Sequence, residues 1–468
     1  MNRDRALRFT LGLWLAVALG GCASAETSSS PNGTIPSAGP SAFQSAAAPS
    51  SSGQAPTPTS TQAQPTATPE MTASPSPTLP PGAAGDLTHI DWQSVGFNGP
   101  AGSNIFGWSR GYVGFAYDFT ANRITPWASS DGSTWTSGQK LDTSDFSAGL
   151  QAYRALIAND AQQGQDDSGM SCQLQVDNVA EGPASLVATS WLVCDGWCGS
   201  FWIGPAVWVT NDALSWDRVT PAQMGTTSQV SKEVGQGPRL PLIAGGPSGF
   251  VAITGDHSAV VSQDGRRWLK AAAVPIPSGA ESVTLSSAAD LDGSYVVAGS
   301  ILIPHACGLV FGDDVVQAGI WSSATGMTWT RALLSPSLAC VNAEVQLDRL
   351  NNHALLARET CDVASADPSA AQAYVAWTST NGRDWTTLSG AGLIQGYTFY
   401  TDGTVNVGYA PVMPNTVGDG AFCYFDAHLQ PAGLTQTGAV PTVQLTIALG
   451  PAGVLATDGT HFWIGTLS

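Results

Sequence analysis

The residues best suited to contact a ligand fall in one short segment, Trp191 to Trp202. It reads WLVCDGWCGSFW, and its Asp195, Trp197, Phe201 and Trp202 combine a carboxylate with aromatic rings. Rings that project from a loop can stack on sugars or hold a peptide. The alternative interpretation is a loop pinned over its own sheet by its cysteines. We expect a loop, with these four residues as candidate ligand contacts.

Familiar catalytic patterns are missing from the sequence. It has no G-x-S-x-G elbow and no H-E-x-x-H helix, and its six histidines are scattered singly. The run Asp290-Leu-Asp292-Gly293 begins like a calcium loop but lacks the later ligands, so a plain β-turn is the better interpretation. We therefore predict no catalytic residue, no metal and no cofactor.

Cysteines give a second constraint on the fold. No histidine pair accompanies them at the spacing of a zinc site. The seven that follow Cys22 are Cys172, Cys194, Cys198, Cys307, Cys340, Cys361 and Cys423. Two pairs flank apparent hairpins, where residues on facing strands lie close enough to be bridged. We predict the disulfides Cys172–Cys194 and Cys340–Cys361. The odd total leaves one thiol unpaired or paired between chains.

One phrase recurs along the chain. A Ser or Thr is followed two positions later by an acid, an amide or Thr, then by Gly or Ala, and three positions further by Trp. Asp-Gly and Asn-Gly supply the positive φ angles of a tight turn, and the hydroxyl can bond the turn backbone. The copies are Ser129–Trp135, Thr210–Trp216, Ser262–Trp268, Ser323–Trp329 and Ser379–Trp385, with a degenerate sixth at Thr457–Trp463.

This repeat resembles the Asp-box, or BNR, repeat of sialidase-like β-propellers, whose common form is S-x-D-x-G-x-T-W. Here the interval from acid to Trp is one residue shorter, and several copies lose Asp or Gly. The resemblance implies that each repeat closes the turn between the third and outer strands of a blade, opposite the usual active face. It implies a structural role for Asp131, Trp135, Asp212, Trp216, Asp264, Trp268, Trp329 and Trp385.

The repeat spacing predicts the blade number. The tryptophans that end successive repeats lie 52 to 81 residues apart, which fits blades of roughly 40 to 50 residues with inserted loops. Apolar runs ahead of the repeats, such as Gly111–Phe115 and Gly249–Ile253, are predicted to be inner strands. The segment from Val443 holds about three strands, and His89–Val95 would complete it. We predict an all-β propeller of seven blades closed by both termini, with six as the alternative.

A sialidase of this kind would need three arginines around the substrate carboxylate, a Tyr–Glu nucleophile pair and an acid Asp. Arg123 lies in a run that leads straight into the first repeat, which puts it on the wrong strand. Arg154, Arg239 and Arg358 are expected to form surface ion pairs. The resemblance therefore implies an architecture and no activity.

The start of the chain predicts export. A basic beginning at Arg3 and Arg5 precedes an apolar run ending at Leu19, too short to span a bilayer comfortably. The run closes on LGGC at Cys22, which resembles the lipobox of bacterial lipoproteins. The resemblance implies cleavage before Cys22 and acylation there, and two or three acyl chains hold a protein stably on a membrane. An ordinary signal peptide or an uncleaved anchor is the alternative.

Composition sets the remaining boundaries. After a signal peptide at 1–21, residues 22–86 comprise the acylated cysteine and a Ser/Thr/Pro-rich linker that cannot bury a core and is expected to be disordered. Residues 87–468 form the propeller. The formal net charge of −18 would repel a nucleic acid, so we predict no nucleic-acid partner.

These observations predict a lipid-anchored, extracytoplasmic propeller on a bacterial cell membrane or cell surface that binds a protein or glycan without catalysis. One alternative is a divergent sialidase-like glycoside hydrolase, in which Asp195, Asp313 or Asp314 would act as paired carboxylates about 5 to 10 Å apart. Another is an envelope assembly or scaffold factor, which broad apolar patches would favour.

Overall fold

The computed structural model describes much of the chain from residue 89 onward. The described residues are 89–96, 104–118, 123–141, 151, 171–196, 199–220, 222–224, 229–230, 241–304, 315–335, 340, 342–351, 353–362, 373–389, 391, 395, 397–401, 406–410, 421–425, 431–441 and 445–468. The side chains at 117–118, 171–174, 194–196, 199–205, 229–230, 342, 351, 362, 373, 406, 421, 423–425 and 431–433 are outside this description. The expected signal peptide, Cys22, the linker and Trp197 also lie outside the described residues.

All named elements of the described residues are β-strands, so the prediction of an all-β fold is confirmed. The first fourteen are β1 (His89–Val95), β2 (Asn104–Trp108), β3 (Gly111–Asp118), β4 (Arg123–Ser129), β5 (Thr136–Ser137), β6 (Ser171–Glu181), β7 (Leu186–Gly196), β8 (Gly199–Thr210), β9 (Asp217–Val219), β10 (Gln229–Val230), β11 (Leu242–Gly246), β12 (Gly249–Ile253), β13 (Ala259–Ser262) and β14 (Leu269–Lys270). The others are β15 (Ser282–Leu291), β16 (Ser294–Ile303), β17 (Val315–Ser323), β18 (Thr330–Arg331), β19 (Asn342–Asn351), β20 (Ala354–Asp362), β21 (Ala373–Ser379), β22 (Thr386–Thr387), β23 (Thr398–Thr401), β24 (Asn406–Ala410), β25 (Ala421–Phe425), β26 (Pro431–Gly433), β27 (Thr435–Gly438), β28 (Thr446–Gly450), β29 (Gly453–Thr457) and β30 (Phe462–Leu467).

The described strands assemble into seven sheets. Five are four-stranded antiparallel meanders: sheet 1 (β2 to β5), sheet 3 (β11 to β14), sheet 4 (β15 to β18), sheet 5 (β19 to β22) and sheet 6 (β23 to β26). Sheet 2 has the order β10-β8-β7-β6, with β9 also paired to β8. Sheet 7 has the order β27-β1-β30-β29-β28, so it joins the first described strand to the last.

Neighbouring sheets touch mainly through their first strands. Contacts run from β2 to β6, β6 to β11, β11 to β15, β15 to β19, β19 to β23 and β23 to β28, and β28 contacts β2. The runs predicted to be inner strands, Gly111–Phe115 and Gly249–Ile253, instead lie in second strands. That prediction was wrong because a second strand that is covered on both faces is more continuously apolar: β12 is buried throughout, whereas only Ile105 of β2 is buried.

Each of the five full repeats forms the turn between the third and fourth strands of its sheet. In sheet 1 the Ser129 hydroxyl accepts the Gly132 N–H at 2.8 Å, and Asp131 Oδ1 accepts the N–H groups of Ser133 and Thr134, each at 2.8 Å. Gly132 has φ +73°, the left-handed region that favours glycine. One carboxylate and one hydroxyl thus satisfy the backbone donors of the turn.

The tryptophan that ends the repeat completes the turn. Trp135 is buried, and its Nε1–H donates to the carbonyl of Gly132 at 3.0 Å. The same bond joins Trp216 to Ala213 at 3.0 Å and Trp268 to Gly265 at 2.9 Å. A buried indole therefore has its one donor satisfied locally, so its large apolar surface can be buried without the cost of an unpaired N–H.

Sheet 4 shows what the acid contributes. Its repeat has Thr325 at the acid position, and within the described structure Thr325 Oγ1 accepts only the Met327 N–H, at 3.3 Å. The indole N–H of Trp329 has no partner among the described residues, although it is buried. In sheet 5, by contrast, Asn381 Oδ1 accepts the N–H groups of Arg383 and Asp384, each at 2.8 Å, so an amide oxygen serves as well as a carboxylate.

The repeat turns also pack against the preceding sheet. A Cβ atom at Gly132 would lie 2.6 Å from Ile464 Cδ1 of sheet 7, and one at Gly326 would lie 2.5 Å from Val261 Cγ1 of sheet 3. Glycine is therefore favoured twice, by its φ angle and by the neighbour's side chain. Sheet 2 accommodates Ala213 at φ +63° in the same position, fully buried.

The predicted disulfide Cys340–Cys361 is present, with a Cα–Cα distance of 5.4 Å. Cys340 does not lie on a strand of sheet 5, because its backbone N–H and carbonyl both pair with Val316 of sheet 4. The bridge therefore ties sheet 5 to a segment paired with sheet 4. For the other predicted disulfide, the backbone register places Cys172 directly opposite Cys194, and both side chains lie outside the described residues.

Replacing Asp131 tests the turn. Asp131→Ala should lower the free energy of unfolding by about 1 kcal/mol, because two turn N–H groups lose their acceptor. Asp131→Asn should cost much less, as Asn381 makes the same two bonds. Urea denaturation followed by Trp fluorescence measures both. Equal losses in the two variants would contradict the assigned role.

The Asp131 carboxylate also gives the turn a pH dependence. The N–H of Thr134, then that of Ser133, holds the pKa of Asp131 at about 2, below its ordinary 3.8. A lowered folded-state pKa stabilises the fold above the unfolded pKa, and that stabilisation is lost as pH falls from about 4 to 2. The stability difference between wild type and Asp131→Asn should therefore shift in this window and be flat above pH 5.

Replacing Trp92 tests the sheet that joins the first described strand to the last. Trp92 lies on β1, is 1% exposed, packs on Phe422 and donates its indole N–H to Gln436 Oε1 at 2.9 Å. Trp92→Ala should lower the free energy of unfolding by about 3 to 5 kcal/mol, since it empties a large buried volume. Leu269→Ala, at a residue 66% exposed, is the control and should change it by less than about 0.5 kcal/mol. Similar losses would contradict the packing described.

Candidate functional site

The aromatic, cysteine-bearing segment is a strand hairpin and not the expected loop. β7 continues to Gly196 and β8 begins at Gly199, and these two glycines are paired. The prediction of a loop was wrong because the segment's glycines and cysteines look like turn residues, whereas ladder pairing carries the strands almost to the tip. The hairpin therefore holds the candidate residues on a hydrogen-bonded scaffold.

The register brings most of the candidate contacts to one end of this hairpin. Phe201 lies opposite Cys194, Asp195 opposite Ser200, and Trp202 opposite Val193. Trp197 lies outside the described residues, as do the side chains of Asp195, Phe201 and Trp202. On the outer side of β8, the short strand β10 pairs with Ile203 and Gly204. The end of the hairpin is thus flanked by β6 on one side and β10 on the other.

The hairpin projects on the side of the sheet opposite the repeat turn. In sheet 2 the turn follows Thr210, at one end of β8, and the hairpin tip lies at the other end. The length of each second strand can be counted from the residue that pairs with the first residue of the repeat. In sheet 2 that residue is Leu186, which pairs with Thr210, and β7 continues for ten more residues. In sheet 3 it is Phe250, which pairs with Ser262, and β12 continues for only three. At about 3.3 Å per residue the difference is roughly 20 Å. Among the described second strands, β7 extends furthest.

The equivalent hairpin of sheet 3 is short, and its polar groups are used internally. The Asp256 carboxylate accepts the Ser258 N–H at 3.1 Å and bonds the Thr254 hydroxyl. His257 has φ +65° and its Nε2–H donates to the Val283 carbonyl at 2.8 Å. Bonds of this kind fix the loop and leave little for a ligand.

Two buried carboxyl groups are the strongest candidates for acid–base chemistry among the described residues. Asp290 has a fully buried carboxyl that packs on the backbone of Gly246 and lies 3.8 Å from Arg349 Nη2. Burial raises the pKa of Asp290 to about 6, against the opposing effect of the Arg349 guanidinium. Burial likewise raises the pKa of Glu359 to about 7, and the backbone of Ala318 partly offsets it.

These two groups do not form a catalytic pair. Strand β19 gives a measure of their separation. Glu359 pairs with Val345 of this strand, and Asp290 contacts Arg349, which lies four positions further along the same strand. Four residues of strand span about 13 Å, beyond the separation of the two acids in a glycosidase. Each group instead fills space between sheets, and Glu359 Oε1 lies 3.8 Å from Cys340 Sγ of the disulfide.

Arg358 corrects an expectation. We predicted a surface ion pair, but Arg358 is buried, and its Nε donates to Asp348 Oδ2 at 2.6 Å and its Nη1 to the Tyr397 carbonyl at 2.6 Å. Its guanidinium also lies over the Phe399 ring. The sequence gives no sign of this burial, because the partners come from a different strand and a different sheet. Arg154 and Arg239 lie outside the described residues.

One surface feature escaped the sequence analysis. A groove between sheets 4 and 5 is lined in part by Arg331, Arg383 and Trp385. A comparison of the residues that follow each repeat Trp could have revealed it. The residue after Trp216 is the acid Asp217, whereas the residue after Trp329 is the uncharged Thr330.

The described residues contain no group of three His, Cys, Asp or Glu side chains that could hold a metal ion. They also contain no helix with the length and apolar character needed to cross a membrane. The acids Asp313 and Asp314, considered above for glycoside hydrolysis, lie outside the described residues.

No protein-family model matches the chain, and no curated protein matches it. Among solved structures it is similar to Pyrococcus horikoshii acylaminoacyl peptidase (10% identity, TM-score 0.35, 61% of this chain and 43% of that one) and Trypanosoma rangeli sialidase (10%, 0.35, 78% and 53%). It is also similar to a Bombyx mori GH32 β-fructofuranosidase (10%, 0.29, 81% and 86%). The chain spans about half the length of the peptidase and sialidase chains. Similarity at this level assigns neither a family nor an activity to it.

Proposed function

We propose that this chain is a lipid-anchored, extracytoplasmic seven-bladed β-propeller that binds a protein or glycan ligand through the β7–β8 hairpin, without catalysis. The seven sheets would be its blades, and the first strands would surround the axis. The contacts that lead from β2 round to β28 and back to β2 support a closed ring. The pairing of β1 with β30 supports closure by the two ends of the chain.

The hairpin is the observation that carries the binding role. It extends further than the equivalent strands of the other described sheets, and its sequence brings Asp195, Trp197, Phe201 and Trp202 to the tip. Bonding along β6, β7 and β8 makes the tip a preorganised support, which lowers the entropy lost on binding. Aromatic residues on such a support are typical anchors of binding sites.

The absence of a catalytic role is supported by the placement of the described acids. Asp290 and Glu359 lie far apart, and both are enclosed between sheets. A sialidase-like glycoside hydrolase remains the second candidate, and it would need acids such as Asp195, Asp313 or Asp314 to work together. Turnover of a glycoside substrate would decide for it.

Indole deletion at the tip tests the binding site. The full chain in detergent micelles is tested for binding to a glycan array and for pull-down of envelope proteins. Its hydrolysis of fluorogenic glycosides is measured in parallel. We expect Trp197→Ala and Trp202→Ala each to weaken the ligand found by about tenfold or more, as expected when an aromatic anchor is lost. The matched control is Trp108→Ala, which removes an indole near the repeat-turn side.

Three outcomes are informative. Loss of binding in both tip variants with Trp108→Ala unchanged supports the proposal. An equal loss in all three variants, or full binding in the tip variants, would exclude the hairpin as the site. Glycoside hydrolysis that depends on Asp313 or Asp314 would replace the binding role with the catalytic one.

Replacing Cys22 tests the anchor. Cys22→Ser should abolish incorporation of labelled palmitate, because the thiol that carries the acyl chains is lost. Cys423→Ser, which alters a cysteine far from the N-terminus, should be labelled like the wild type. Unchanged labelling of Cys22→Ser would show that Cys22 is not the acylation site.

A further inference from the structure

A groove of about 390 Å³ lies between sheets 4 and 5, beside the repeat turn of sheet 5. This size accommodates a few side chains of a bound segment. Sheet 4 contributes its short outer strand and the residues after it, and sheet 5 contributes the second half of its repeat. The residues that matter here are Thr330, Arg331, Leu333, Arg383, Asp384 and Trp385.

The groove contains two cations whose charges are not neutralised. Neither the Arg331 nor the Arg383 guanidinium makes an ion pair, a hydrogen bond or a ring contact with the described residues. The chain has only 17 Lys and Arg against 35 Asp and Glu. Two unpaired arginines in one groove are therefore unexpected in so acidic a protein.

The repeat of sheet 3 shows how an arginine at the position of Arg383 can be satisfied. Arg266 holds the same place in the repeat of sheet 3, two positions before Trp268. Its Nη2 lies 3.0 Å from Asp217 Oδ2, and its Nη1 donates to Asn211 Oδ1 at 3.0 Å. Asp217 directly follows the repeat Trp of sheet 2. The corresponding residue of sheet 4 is Thr330, so the carboxylate that closes this junction between sheets 2 and 3 is missing between sheets 4 and 5.

Arg331 also differs from its counterpart. Arg218 of sheet 2 lies opposite Trp208, stacks on its ring at 5.3 Å and donates to the carbonyls of Val207 and Val219 at 3.1 and 3.2 Å. Arg331 lies opposite Trp321 by the same register but makes no such contacts. Partial burial lowers the pKa of Arg331, so a nearby anion would stabilise its charge.

At the junction between sheets 3 and 4 both positions are apolar: the outer-strand residue is Leu269 and the repeat residue is Met327, both partly exposed. At the junction between sheets 1 and 2 the same positions hold Thr136 and Leu214. An arginine thus stands at the repeat position of two junctions, with its acid between sheets 2 and 3 and without it between sheets 4 and 5. An external carboxylate would supply the missing acid.

We propose that this groove binds an acidic peptide segment of a partner protein, with a carboxylate between Arg331 and Arg383 and an aliphatic side chain against Leu333. Leu333 is 89% exposed, which favours a peptide over a sugar. The Trp385 indole N–H is turned inward and donates to the Gly382 carbonyl at 3.2 Å, so the ring is less suited to sugar recognition. This site is separate from the β7–β8 hairpin and does not depend on it.

Asp384 limits the charge of the site. Its Oδ2 accepts the Asn381 side-chain N–H at 2.8 Å, so the carboxylate is held at the edge of the repeat turn. It reduces the positive charge of the groove but does not neutralise both arginines. Removing this charge should therefore strengthen the binding of an anion.

The test measures fluorescence anisotropy of the full chain in neutral detergent with a labelled peptide of alternating Glu and Leu. We expect Arg331→Gln and Arg383→Gln each to weaken binding by about five- to tenfold, the effect of losing one charge-assisted contact. Thr330→Asp should weaken it as much, because the new carboxylate would pair with Arg383 as Asp217 pairs with Arg266. Asp384→Asn should strengthen it.

Controls distinguish the groove from general charge effects. Arg266→Gln removes a guanidinium that is already paired and should leave peptide binding unchanged. A peptide of alternating Lys and Leu should not bind. Since these residues are exposed or half-buried, thermal unfolding should change little, which is checked by circular dichroism.

Several results would overturn the proposal. One is an equal effect of Arg266→Gln and Arg383→Gln, and another is no effect of Thr330→Asp. Binding of oligogalacturonate in place of the peptide, with the same dependence on both arginines, would assign the groove to an acidic glycan instead. The hairpin variants Trp197→Ala and Trp202→Ala should bind the peptide normally. A negative result for one of the two proposed sites would therefore not count against the other.

Discussion

The fold depends on one recurring arrangement, a carboxylate or amide that bonds the backbone of a tight turn while the turn's glycine presses on the preceding sheet. In sheet 1, Asp131 supplies the acceptor, and Gly132 has no side chain where Ile464 approaches. Because the same turn organises a hairpin and contacts the preceding sheet, local and long-range order reinforce each other. The same short sequence therefore forms the same turn in each sheet that carries the repeat.

How much the sequence could predict follows from the range of each interaction. The repeat turns and the Cys340–Cys361 bridge were predictable because their signals are short-range: turn residues at fixed offsets, and cysteines flanking a hairpin. The burial of Arg358 was not, since it depends on Asp348 and on the neighbouring sheet. Nor was the β7–β8 hairpin, because ladder pairing overrode turn-like residues near Gly196.

The spaces between sheets hold most of the polar groups that burial perturbs. Arg358 is balanced by a buried acid, whereas Asp290 and Glu359 have raised pKa values and fewer compensating bonds. Burying a charge without a full set of partners is costly, so such groups stay protonated more readily. Each described apolar cluster, by contrast, combines residues of two neighbouring sheets.

The place of β1 has a mechanical consequence. Its hydrogen bonds reach β30 on one side through Ile90–Val95 and β27 on the other through His89–Trp92. A pull along β1 from the chain before His89 would load these bonds together in shear, instead of opening them one at a time. Unfolding that starts at His89 would therefore have to break two ladders at once, because β1 is paired along both of its edges.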